Sequence, residues 1–222
     1  MKHNIKTILT AVILMMSCTI ASSQEVTKAG GYTISFESND QTLDPKLKKR
    51  LIHTFFEVYP KLAKAYNKNT DKNVRFFVDT SYDGVAATGG GRVTFSARYL
   101  QAHPEDIDVV THEVMHIVQD YGHSNGPGWL TEGIADYARY KFGVDNQGAQ
   151  WSLPEFQTTQ KYTDSYRVTA RFLAWIEKYT PGTVKSLDAS LRGHTFQNET
   201  WVKVTGKSLE DLWTEYLKNP RI

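Results

Sequence analysis

Cysteine is nearly absent: the 222 residues hold one, Cys18. A lone cysteine leaves the fold without an internal disulfide, so its stability rests on a packed core, which a chain of this length can supply. It also leaves the body of the chain without a cysteine nucleophile and disfavours a deformylase-type zinc site, which takes a cysteine ligand. Charge of one sign is lacking too. Lys2 and Lys6 stand apart near the start; without them the 26 basic residues fall to 24, against 24 acidic ones. A balanced chain has no field to draw in nucleic acid or an anionic membrane, and neither partner is expected. No apolar run reaches the roughly 20 residues of a membrane-spanning helix, so no transmembrane segment is expected. Repeats, low-complexity tracts and long linkers are missing as well.

What is present begins with MKHNIKTILTAVILMMSCTIASS, residues 1–23. Lys2 and Lys6 precede an apolar run from Ile8 to Met16, and small residues follow, the layout of a secretory signal peptide. Ala21-Ser22-Ser23 suits the processing enzyme and makes Gln24 the mature start, so a secreted or periplasmic protein is expected. Met15-Met16-Ser17-Cys18 is an imperfect lipobox, and lipid anchoring through Cys18 stands as the second option. Residues 24–222 are expected to form a single domain acting as a monomer.

The first half of that span alternates in character. Tyr32–Phe36 and Val74–Val78 read as strands, and Val93–Tyr99, after the glycine turn Gly89–Gly91, as a third. Between the first two, Asp44-Pro45 offers a cap and an N-terminal proline to a long amphipathic helix over 45–67. From Pro104 onward the pattern is helical. One helix runs from Pro104 to about Gly122, a second covers 128–142, a third 164–179, and a last 209–218 begins at Ser208. Strands first and helices afterwards predict an α+β fold of two lobes, a mixed sheet with helices followed by a mainly helical lobe.

The boundary between the lobes falls on THEVMHIVQDYG, residues 111–122. On a helix His112 and His116 lie one above the other and can aim ring nitrogens at one ion, while Glu113 is offset towards a bound water. An exposed polar helix face would give the same letters, so a third ligand has to be found. WLTEGIADY, residues 129–137, holds Glu132 and Asp136 four apart in an otherwise apolar or small segment. Acids on a largely buried face are costly unless paired or bound to a cation. Zinc removes that cost, with Glu132 as third ligand and Asp136 accepting the outer N–H of a ligating histidine. The alternative is that both acids pair on the surface with Arg139 or Lys141. A metzincin arrangement wants glycine and histidine where this chain has Gln119 and Gly122, and His123 falls one position late.

HExxH followed by an ExxxD helix is the gluzincin arrangement of zinc metallopeptidases. More closely, HEVMHIVQ, WLTEGIADY and the segment Ser165–Leu173 resemble the plant basic secretory protein family and its bacterial relatives. The likeness runs from about residue 30 to the end of the chain. It implies a zincin-like fold with the active site between the lobes, zinc held by His112, His116 and Glu132, and peptidase activity. It also places Tyr166 near the site as a candidate to stabilise the oxyanion. By likeness to zincins, a peptide or protein substrate would lie along Val93–Tyr99 as a sheet edge, with Gly89–Gly91 at the cleft rim. The expected function is a secreted zinc-dependent metallopeptidase with Glu113 as general base. The alternative is an exported zinc-containing binding or structural protein without turnover. His53, His103 and His194 lack ligand spacing, and Trp151, Trp175, Trp201 and Trp213 read as packing.

Overall fold

The computed structural model describes residues 24–123 and 126–222. The expected signal peptide and its Cys18 lie outside the described residues. Alternation builds the sheet. Ile34 and Phe36 of β2 (Tyr32–Ser38), Val74, Phe76 and Val78 of β3 (Asn73–Asp79), and Val93 and Phe95 of β5 (Arg92–Ser96) are all buried. Their period of two turns one face of each strand into the core. β1 (Glu25–Ala29) and β4 (Ala86–Gly89) complete the order β1-β2-β3-β5-β4. The inner pairs are parallel and the outer pairs antiparallel, so the sheet is mixed.

α1 (Pro45–Ala65) starts as its sequence dictates, with the Asp44 carboxylate accepting from the Lys46 N–H at 2.9 Å. Leu47, Leu51, Phe55, Val58 and Leu62 form its buried stripe, and Phe55 meets Phe76 of the sheet edge-to-face at 5.7 Å. Gly90 and Gly91, at φ 56° and 69°, turn β4 into β5. Positive φ at both turn residues matches the twist of a tight hairpin.

The third strand ends earlier than its alternation predicts. The Ser96 side chain accepts from the Tyr99 N–H and opens α2 (Ala97–Ala102), so Ala97–Tyr99 is helical. Nor is β5 an edge: it is paired on both sides, and β4 forms the edge. A substrate strand along Val93–Tyr99 is therefore ruled out, because Val93–Ser96 lie inside the sheet beside β3 and Ala97–Tyr99 are helical.

The motif helix, α3 (Val109–Gln119), begins five residues after Pro104. The acids just ahead of it are engaged in tertiary contacts. Asp106 takes the Tyr99 hydroxyl and Arg139, each at 2.6 Å, and Asp108 accepts from Thr111 and from the Val144 and Asp145 N–H groups. α4 (Gly128–Phe142) has the predicted extent. α5 (Tyr166–Tyr179) follows a single 3-10 turn at Tyr162–Asp164, with Ser165 and Tyr166 at φ 68° and 46°. α6 (Thr183–Arg192) and α7 (Glu199–Thr205), which the sequence reading passed over, lead into α8 (Leu209–Lys218), capped by Ser208 as expected. Among the described residues no helix is long and apolar enough to cross a membrane.

α4 lies against α3 on one side and α5 on the other. Its approach to α5 depends on Gly133, where an added Cβ would sit 2.6 Å from Thr169 Cβ and closer still to Cγ2. In Gly133→Ala, overpacking of about 1–3 kcal/mol opposes a helix-propensity gain of about 1 kcal/mol. A lowered unfolding midpoint by circular dichroism is the expected outcome; an unchanged or raised midpoint would contradict the packing.

Candidate metal centre

Consecutive turns of α3 stack His112 over His116, and their Nε2 atoms stand 3.2 Å apart. Glu132, one turn into α4, brings Oε2 to 3.2 Å from His112 Nε2 and 3.5 Å from His116 Nε2. A tetrahedral ion with bonds of about 2.0–2.1 Å to nitrogen and oxygen requires donors about 3.3 Å apart. The three donors meet that spacing. His53, His103 and His194 are not among them.

The outer ring nitrogens are committed. His112 Nδ1 lies 2.7 Å from Asp136 Oδ1, the partner read from the sequence. His116 Nδ1 lies 2.7 Å from Gln119 Oε1, and the Gln119 amide donates to the Thr131 carbonyl of α4 at 2.9 Å. Gln119, noted in the sequence only as a mismatch to the metzincin pattern, thus orients a histidine and ties α3 to α4. In their neutral forms, with Nδ1–H donating outwards, both rings present Nε2 lone pairs inwards. Two lone pairs and a carboxylate oxygen converging on one point fit a cation.

These groups open on a cleft of about 1050 Å³. Glu113 is buried, and its carboxylate accepts from the Thr88 hydroxyl of β4 at 2.6 Å. Tyr166 stands at the mouth, 55% exposed, its ring stacked near His112 with centroids 6.1 Å apart. Its hydroxyl makes no hydrogen bond to a described residue, and the charge on Glu132 raises its pKa. The edge strand lines the cleft. The Ser96 N–H donates to the Val85 carbonyl, so alternation turns the main-chain groups of Ala86 and Thr88 outwards, away from β5. The structure therefore brings His112, Glu113, His116, Glu132, Asp136 and Tyr166 to one cleft, and adds Gln119 beneath it and Thr88 on its wall.

Electrostatics describe the same point. Burial opposes a charge on His112, but hydrogen bonds to Asp136 and Glu132 outweigh it and push its pKa from 6.5 to about 10. Burial would raise the Glu132 pKa, yet bonds to His112 and His116 hold it well below 4.5. A group with a raised pKa gives stability in full below its unfolded value and loses it as pH rises; a depressed carboxylate does the reverse. Metal-free protein should therefore be most stable between about 4.5 and 6.5, losing stability as pH rises towards 10. Thermal midpoints of chelator-treated protein across that range test this, and a flat profile above pH 6.5 contradicts it.

Comparison with known proteins completes the description. A search of curated proteins gave no match. Among solved structures, aminopeptidase A of Legionella pneumophila, in complex with aspartic acid, superposes at TM-score 0.59 and 15% identity over 87% of this chain and 28% of its own. A mutant M1 zinc metallopeptidase of Deinococcus radiodurans, bound to a Tyr-Ser-Ala substrate, gives TM-score 0.50 and 15% identity over 88% and 51%. The chain thus spans about a quarter to a half of the length of these structures, and at this identity the likeness is one of fold. The family described as peptidase of plants and bacteria matches residues 20–216, and the chain belongs to it.

Proposed function

We propose that residues 24–222 are one exported, zinc-dependent metallopeptidase unit, with His112, His116 and Glu132 as ligands and Glu113 as general base. The observation that carries this is the convergence of three donors at tetrahedral spacing beside a carboxylate that is not one of them. A purely structural zinc site closes its fourth position with another Cys or His, and the described residues place none there. Zinc held by these residues would supply Lewis acidity and acidify a water at the site.

The chain's own residues do the rest. Glu113 takes a proton from water as it attacks the peptide carbonyl and passes that proton to the leaving amine. Thr88 holds the Glu113 carboxylate by donating to Oε2, leaving Oε1 for the water. Tyr166, with its hydroxyl unengaged among the described residues, would donate to the oxyanion. Asp136 and Gln119 fix the ligand rings. An extended peptide adds to β4, the edge strand, through the outward main-chain groups of Ala86 and Thr88. The Ala86 carbonyl is capped by the Tyr82 hydroxyl at 3.2 Å, which leaves Thr88 as the open pairing position.

Two variants separate the roles. Glu113→Gln should lower peptide hydrolysis by about 10²–10⁴-fold with zinc stoichiometry unchanged. Unaltered turnover in that variant would overturn the assignment, and a wild type that holds zinc but cleaves no peptide would make the protein a binding module. Thr88→Val should lower kcat by about tenfold with little change in KM, the loss of one charge-assisted hydrogen bond. Thr88→Ser should restore it, and a loss confined to KM would contradict the positioning role.

A further inference from the structure

Beyond Glu113 the cleft ends on a guanidinium with one unused edge. Arg139 lies on α4 seven residues after Glu132 and three after Asp136, so it continues the same helix face. It is only 5% exposed. Its Nε donates to Asn146 Oδ1 at 3.0 Å and its Nη2 to Asp106 Oδ1 at 2.6 Å, while the Trp151 ring lies 4.5 Å beneath it. Asp106 is itself held by the Tyr99 hydroxyl at 2.6 Å. The remaining nitrogen, Nη1, has no hydrogen bond to a described residue. It is not sealed in, since Thr54 Oγ1 is the one fully buried, unpartnered side-chain atom among the described residues. Arg139 lines the same cleft as His112 and Glu113.

A guanidinium fixed on one side by a carboxylate, an amide and an aromatic face is preorganised for a planar acceptor on the other. Holding Asp106 and the 146 loop uses Nε and Nη2 alone. Arg167, the second cation on the cleft wall, reaches the Ser152 carbonyl next to Trp151 and adds positive charge at the same end.

The direction of strand addition sets which part of a substrate meets this end. Ala86 pairs with Phe95, beside Ser96 and the start of α2, whose Tyr99 touches Asp106; Thr88, two residues on, meets Glu113. A peptide added antiparallel to β4 therefore runs from Gly89 towards Ala86, carrying the residues after the scissile bond to Arg139. Resting on the metallopeptidase reading, we propose that Arg139, backed by Trp151, forms a subsite for a carboxylate on the leaving-group side of the scissile bond. That carboxylate comes from an Asp or Glu side chain or from the free C-terminus of a short peptide.

The test uses zinc-loaded, full-length Glu113→Gln protein and peptide pairs differing only as Glu against Gln at one of the first few positions after the scissile bond. Each peptide is made both as free acid and as C-terminal amide, and binding is read by calorimetry. Binding about tenfold tighter for Glu over Gln at one position assigns the subsite to a side chain; the same gain for acid over amide assigns it to the C-terminus. Equal affinity across all pairs, or no binding by any peptide, overturns the inference. In Arg139→Lys, which keeps a cation opposite Asp106, the ratio should collapse to about twofold or less, and an unchanged ratio overturns it. Should that variant not fold, the peptide pairs on the native Arg139 decide alone. Wild type cleaving all pairs equally defeats the subsite and leaves the peptidase reading standing, whereas the binding ratio without any cleavage defeats the peptidase reading instead.

Discussion

Two imidazole nitrogens face each other across 3.2 Å, each ring having committed its other nitrogen to an acceptor on the far side. Two neutral rings so placed would set lone pair against lone pair unless something positive, a proton or a metal ion, sits between them, and the rest of the molecule keeps them there. α3 sets the spacing of the rings, and α4 supplies both the carboxylate that closes the triangle and the acid behind His112. The Gln119 amide then clamps the two helices by joining a ring nitrogen of one to a backbone carbonyl of the other. Gly133, next to Glu132, lets α5 approach α4 closely enough to bring Tyr166 to the cleft mouth.

The sheet contributes from the opposite side. Its edge strand hands one hydroxyl to Glu113 and turns two residues' worth of main-chain donors and acceptors towards the cleft. Glu113, the proposed general base, is thereby registered to the strand proposed to hold substrate, through the 2.6 Å bond from Thr88. Helix and sheet meet nowhere else with such consequence: a shift of β4 along β5 would move the base and the pairing groups together. Elsewhere on the cleft wall, the Asp106–Arg139 pair ties the loop before α3 to α4.

Much of this was legible in the letters. Strong periodicity marked β2, β3 and α1, and the HExxH and ExxxD spacings marked the donors, because fixed offsets on a helix determine what faces what. β1 and β4 left weaker traces. β1 is exposed on both faces and so has no apolar alternation, and the Ala-Ala-Thr-Gly of β4 offers a single β-branched residue, Thr88, to announce a strand. The break after Ser96 was hidden because Ala97–Tyr99 continues the alternation, and only the serine cap ends the strand. Thr88 could not have been found by spacing, since it reaches Glu113 only through tertiary placement, whereas Gln119 lies three residues after His116 on one helix, an offset the letters did carry. An S/T on an edge strand two residues before a glycine turn is the sort of signal that becomes visible only once the sheet order is known.

Zinc X-ray absorption on the purified, metal-loaded protein, with stoichiometry measured on the same sample, tests the central claim most directly. The account predicts one zinc per chain, imidazole scattering from two histidines, and only nitrogen and oxygen neighbours at about 2.0–2.2 Å. Protein that folds fully yet takes up no zinc, or zinc whose spectrum lacks the paired histidine signature, would contradict it.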